Sequence, residues 1–375
     1  MKKIGIITMY YKSKNYGGVL QAYALAEYLK DKGFDIEQIC YKETAENTLQ
    51  STKISFRARF SGFAQKILML SINKGIEERN KKFDAFTENI PHSNDVYTDD
   101  NISNANKIYD TFITGSDQVW NPIYYNPTYF LDFAKSDKKC LSYAASIANG
   151  KLSDEQREIF KKHFEKYTAI SLRENDAEVI QELTNIPVKW VLDPTMLLTK
   201  EEWDKVSAPR MIKEKYLFCY FLGRNEEERQ IATEFAKKNN LKIVTIPHLM
   251  GCFERSDKGF GDEQILSASP AEFVSLIKNA EFVFTDSFHA TSFSNIYEKE
   301  YFVFQRAGFK GMSSRIYSVC SLFGTQSRFL DTVEKQNVQY IEKIIQEEIG
   351  KEKNRALFDD KKKESEEFLL KALKD

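Results

Sequence analysis

The chain has 375 residues, 42% hydrophobic and 29% charged, which is ordinary globular composition and long enough for two cores. Its 54 Lys and Arg balance 55 Asp and Glu, for a formal net charge of -1, so no global field draws nucleic acid or an anionic membrane. Any anion site must be local. The opening MKKIGIITM is too short in apolar length for a signal peptide and has no small-residue cleavage site, so it reads as a first buried strand. No stretch reaches the roughly 18 apolar residues of a membrane helix, which leads to the expectation of a cytoplasmic protein without an integral membrane segment. Cys40, Cys140, Cys219, Cys252 and Cys320 are scattered with no Cys-x-x-Cys pair, and His92, His163, His248 and His289 lack ligand spacing. Neither a disulfide framework nor a metal site is expected.

In chain order, short apolar runs alternate with amphipathic stretches, the pattern of βαβ units in a mainly parallel sheet. The first series predicts strands at 3–9, 35–40, 108–114, 140–144, 169–172 and 188–192, with helices at 19–32, 154–166 and 175–183. A polar connection over 199–215 follows Asp193-Pro194. The pattern then restarts with strands at 216–221, 242–246, 281–285 and 301–305 and helices at 225–239, 270–279 and 289–297. The expected organisation is an α/β protein with two Rossmann-like domains facing a cleft: residues 1–200, carrying a helical insertion or connection near 43–104, then residues 201–345, then a charged, solvated helix at 346–375.

Open α/β sheets bind ligands beyond the carboxyl ends of their strands, and four strand-to-helix turns carry suitable chemistry. Asn15-Tyr16-Gly17-Gly18 opens a helix; its glycines allow close approach of backbone amides to an anion, or simply a tight turn. Thr114 to Pro122 gathers Ser116, Asp117, Gln118 and Trp120. These residue types suit a sugar, whose hydroxyls seek paired donors and acceptors and whose faces stack on aromatics, while Asp117 either takes a hydroxyl proton or caps the turn. Arg173, in Ser171-Leu172-Arg173-Glu174-Asn175, either grips a phosphate or carboxylate or forms a structural ion pair. In Thr285-Asp286-Ser287-Phe288-His289, a buried strand delivers a histidine whose role is catalytic or structural, and Asp286 either orients it or caps the next helix.

Six stretches in this order, NYGGVLQAYAL, FITGSDQVWNP, SYAASI, SLREN, VLDPTMLL and TDSFHATSFS, resemble the polysaccharide pyruvyl transferase family over about residues 4–330. The resemblance implies transfer of pyruvate from phosphoenolpyruvate to two hydroxyls of a sugar, forming a cyclic ketal in bacterial surface polysaccharide synthesis. It implies a fold similar to the B-type glycosyltransferases, with phosphoenolpyruvate as co-substrate and no other cofactor. The acceptor would be a glycan or a lipid-linked saccharide, with peripheral membrane contact compatible with the latter. His289 becomes the acid and Asp117 its partner in catalysis. Arg173 becomes the donor-gripping cation, helped by Arg315, Lys310 and Arg306, with Ser287, Asn15, Gly17 and Gly18 at the donor and Ser116, Gln118 and Trp120 at the acceptor. Many members have an arginine where Ser287 stands, so the missing charge must come from elsewhere, and Arg315 is favoured. The competing expectations are a nucleotide-sugar-dependent glycosyltransferase and a non-catalytic glycan-binding protein, because a fold alone does not set the chemistry.

Overall fold

All four residues of β1 (Ile4–Ile7) are buried, which is the signature of a central strand covered on both faces. In the computed structural model, which describes residues 2–43, 63–148, 152–175, 177–248, 255–306, 313–348 and 355–375, β1 pairs in parallel with β2 (Ile36–Tyr41) and β4 (Thr111–Thr114). β3 (His92–Tyr97) adds outside β2, and β5 (Lys139–Ser142) outside β4, so the order is β3-β2-β1-β4-β5. Parallel bridges Leu141 to Ala169 and Ala145 to Leu172 carry the sheet on into the pair β6 (Ile170–Leu172) and β7 (Val188–Trp190).

The second sheet repeats the plan. β8 (Tyr216–Tyr220), β9 (Lys242–Thr245), β10 (Glu263–Gln264), β11 (Phe282–Thr285), β12 (Glu300–Phe304) and β13 (Phe329–Leu330) are parallel in the order β10-β9-β8-β11-β12-β13. In each sheet the order reverses beside the first strand, between β1 and β4 and between β8 and β11. There the chain ends splay apart and leave a crevice.

The two halves share apolar packing. Tyr16, at the start of the helix Tyr16–Asp31, stacks on Phe273 of the helix Pro270–Asn279 at 4.6 Å, and its hydroxyl donates to Ala268 O at 2.8 Å. One continuous core cluster runs from Ile4 and Val19 to Phe218 and Phe293, so the cleft has a hydrophobic floor tying both sheets.

The structure adds three features to this reading. The segment 43–104 holds the edge strand β3 as well as the helix Phe63–Thr87, so it closes the first sheet; residues 44–62 lie outside those described. β3 escapes a hydropathy reading because HSNDVY is polar and half exposed, as an edge strand permits. The short strands β10 and β13 were equally invisible. The terminal helix Ala356–Lys374 is anchored: Leu369 is buried, Ser365 Oγ accepts from Leu192 N at 2.9 Å, and Lys361 lies over the Trp190 ring at 4.5 Å.

Candidate active site

Five strand ends converge on one cluster. After β1, Asn15 caps the helix Tyr16–Asp31 by accepting from Gly18 N at 3.2 Å, and Gly17 lies in its first turn. After β4, Asp117 adopts φ 76, a left-handed conformation that side chains seldom take. This turns its Oδ1 toward Arg173 Nη2 at 3.4 Å. After β6 comes Arg173, buried and stacked over Phe288 at 4.5 Å, with Nη1 donating to Asp193 Oδ2 at 3.0 Å. After β7 comes Asp193, fully buried, accepting from Ser116 Oγ at 2.9 Å and from Thr195 N and Oγ1 at 3.0 and 2.7 Å.

The fifth contribution crosses from the other half. After β11 the helix Phe288–Ile296 begins, and its second residue His289 points Nε2 at Asp193 Oδ2, 3.7 Å away. The ring lies on Gly17 so closely that a Cβ there would sit 1.9 Å from Nδ1. Only glycine leaves room for this imidazole. A Cβ on Gly18 would in turn come 3.4 Å from Asp117 Oδ2.

Charge is concentrated in this small volume. Burial pulls the Arg173 guanidinium down, but Asp117, Asp193 and Glu174 outweigh it and hold the pKa above its ordinary value. Burial pushes the Asp193 carboxyl up, yet His289 and Arg173 draw it well below the usual carboxylate range. Arg315, 5% exposed on the helix Ser313–Leu322, is compensated only in part. Burial first, and then repulsion from Arg173, bring its pKa down to about 10 despite Glu174 and Asp117. Its Nε is buried without a partner among the described residues. A guanidinium held at such cost, beside another guanidinium, suits a site that receives an anion.

The cluster therefore brings together His289, Asp117, Arg173, Arg315, Gly17 and Gly18. Several other expected residues take structural roles. Trp120 is 0% exposed, stacked on Phe130 and edge-on to Phe164 and Tyr167, with its indole N–H on Tyr129 O, so it offers no face to a sugar. Its apolar ring fills the core under β4 instead. Ser116 is likewise fully buried and spends its hydroxyl on Asp193, and Gln118 accepts from Asn121 Nδ2. Ser287 is the N-cap of the His289 helix. Asp286 neither orients His289 nor caps that helix. Its two oxygens take Leu222 N and Gly223 N, each at 2.7 Å, and Arg306 Nε at 3.1 Å, which pins the end of β8 to the end of β11. Lys310 lies outside the described residues. Asp193 was missed as a site residue. Its signal was present in VLDPTMLL, where an Asp-Pro follows a buried strand just as the other chemical turns do.

A family model described as polysaccharide pyruvyl transferase matches residues 15–305, a span that contains Gly17, Asp117, Arg173, Asp193 and His289. The chain belongs to the polysaccharide pyruvyl transferase family. As a member it is a transferase, and its residues His289, Arg173 and Asp193 all lie inside the matched span. No curated protein matches it significantly in sequence. Among solved structures it is similar to the UDP-GlcNAc 2-epimerase of Methanocaldococcus jannaschii, at 13% identity and TM-score 0.55 over 94% of each chain. It is also similar to S. aureus MnaA with UDP, at 12% identity and TM-score 0.52 over 96% of this chain and 91% of that one. The UDP-GlcNAc 2-epimerase of Neisseria meningitidis bound to UDP-GlcNAc shares 12% identity at TM-score 0.50, over 99% and 100%. At these identities the likeness concerns the fold, which is the two-domain B-type glycosyltransferase arrangement. No helix among the described residues is long and apolar enough to cross a membrane.

Proposed function

We propose that this transferase moves pyruvate from phosphoenolpyruvate onto two hydroxyls of a glycan sugar, releasing phosphate and leaving a cyclic ketal on a bacterial surface polysaccharide or its precursor. The observation that supports this reading is that Arg173 pairs with both Asp117 and Asp193 while His289 faces Asp193 at 3.7 Å, with the buried Arg315 guanidinium electrostatically coupled to Arg173 and Asp117. Phosphoenolpyruvate carries a phosphate and a carboxylate, and two cations match two anionic ends. Arg315 supplies the second charge that Ser287 cannot.

The chemistry follows from these groups. His289 gives a proton to the methylene carbon of the enol phosphate, and the adjacent carbon becomes electron-poor. One sugar hydroxyl attacks there while Asp117 takes its proton. Phosphate then leaves, carrying the proton of the second hydroxyl, which closes the ring. Two hydroxyl protons are lost in all, one restored to the methyl group through His289 and one carried off with phosphate.

The test is phosphate release from phosphoenolpyruvate in the presence of candidate glycans, with His289→Ala as control. Acceptor-dependent release that disappears in the control supports the reading. No release with any acceptor, together with turnover of a UDP-sugar, replaces it with nucleotide-sugar chemistry, which the fold also hosts.

A further inference from the structure

The described geometry contains a carboxylate that the chemistry above does not use. Asp193 is fully buried, and its Oδ1 is satisfied by Thr195 N and Oγ1. Oδ2 accepts from Ser116 and Arg173 and faces His289 Nε2 at 3.7 Å. That separation is an ion-pair distance, longer than a hydrogen bond and closed by a small ring movement of the kind that substrate binding brings. Nε2 is shut off from solvent and has no hydrogen bond among the described residues, so Asp193 is the acceptor in front of it.

We propose that Asp193 is a positioning residue that pairs with His289 Nε2–H and thereby makes Nδ1 the nitrogen that gives up the proton. Arg173 after β6 and Arg315 after β12 supply the positive charge of the cluster, and Asp117 after β4, Glu174 after β6 and Asp193 after β7 the negative; of these carboxylates Asp193 is the one paired with His289. The lowered pKa of Asp193, driven by His289 and Arg173 against its burial, is the same coupling seen from the other partner. The far side of the ring, at Nδ1, packs against Gly17 and, unlike Nε2, is not shut off from solvent.

The proton transfer then has a defined course. The Nδ1–H bond breaks, the π pair of the enol double bond forms the new C–H bond at the methylene carbon, and the neutral imidazole keeps its remaining proton on Nε2 against Asp193. The identity of the proton acceptor rests on the pyruvyl-transfer reading; the Asp193–His289 pairing does not.

The experiment is a pH titration of the full chain labelled with 15N-histidine, the His289 ring signals being assigned by their loss in His289→Gln. In the wild type the neutral ring is expected to carry its proton on Nε2. In Asp193→Asn the titration midpoint is expected to fall by about one unit, whereas Thr195→Val, which keeps the carboxylate, leaves it in place. The alkaline limb of phosphate release from phosphoenolpyruvate moves to lower pH by the same amount. A wild-type neutral ring protonated on Nδ1 overturns the proposal even if Asp193→Asn does not fold, and so does an unchanged midpoint in a folded Asp193→Asn. The expected ring signals without any phosphate release uphold the pairing and overturn pyruvyl transfer instead.

Discussion

Gly17 and His289 are 272 positions apart in the chain and in contact, the imidazole resting where any side chain on Gly17 would have to be, 1.9 Å from Nδ1. Gly17→Ala is therefore expected to displace the ring and lower phosphate release at least about 100-fold, the scale of a misplaced catalytic group. Stability changes little, because the gain of alanine in a helix of about 0.5–1 kcal/mol offsets part of the clash. Steady-state rates and a thermal melt check both halves, and full activity in Gly17→Ala removes His289 from the chemistry.

Asp286 holds Leu222, Gly223 and Arg306 together across the reversal point of the second sheet. Asp286→Ala leaves two backbone N–H groups without their carboxylate and is expected to cost about 3–5 kcal/mol of stability in urea unfolding. A loss of activity with unchanged stability would instead make it a partner of His289.

Trp120 is a core residue in this fold. Trp120→Phe loses the hydrogen bond to Tyr129 O and part of the stack on Phe130, so a loss of about 2–3 kcal/mol is expected. The acceptor KM should stay within about twofold, since no sugar can reach the ring; a large rise in KM at constant stability contradicts the buried placement.

Arg315 is held in place against repulsion from Arg173. In Arg315→Ala calorimetry with phosphoenolpyruvate should show affinity lowered by about 1.5–3 kcal/mol, the worth of a charge-assisted hydrogen bond. The melting temperature should hold or rise, because a buried cation whose charge is only partly compensated has gone. Unchanged binding would assign the second cation elsewhere.

Glu228, in the first turn of the helix Glu226–Lys238, is fully buried, and neither carboxyl oxygen has a partner among the described residues. Burial, followed by the nearby Asp286, raises its pKa from 4.5 to about 8. A raised carboxyl favours the folded state only while it is protonated. Its contribution is complete below the unfolded value of 4.5 and is lost as pH rises toward about 8. Glu228→Gln should match the wild type near the acid end of that window. At pH 9 it should exceed it by on the order of 3 kcal/mol in urea unfolding. Parallel pH profiles for the two proteins would show that Glu228 is ionised in the fold.

Much of the architecture was legible because buried parallel strands announce themselves. β1, β8 and β11 are apolar runs delimited by polar turns, and the helices between them carry an amphipathic period. β3, β10 and β13 were not legible, since an edge or two-residue strand is made by its neighbour's hydrogen bonds rather than by its own side chains. The site divided in the same way. Arg173, Asp117 and His289 stand just after strands, where an open α/β sheet exposes its chemistry, and the order of their motifs matched the family over most of the chain.

Side-chain orientation was beyond the sequence. Trp120 and Asp117 share one turn, yet the left-handed backbone at Asp117 sends its carboxylate toward Arg173 while Trp120 turns into the core. Asp286 does not take the orienting role for a similar reason: the carboxylate next to His289 in sequence reaches across to β8, and the one facing it comes from the other half of the molecule. By itself the sequence determined the strand-and-helix alternation, the two-sheet plan and which turns hold reactive groups, because these depend on local composition and period. Tertiary structure alone decided that Asp193 and Gly17 meet His289. Docking two sheets brings together groups that share no local pattern, and burial then sets which of their charges survive.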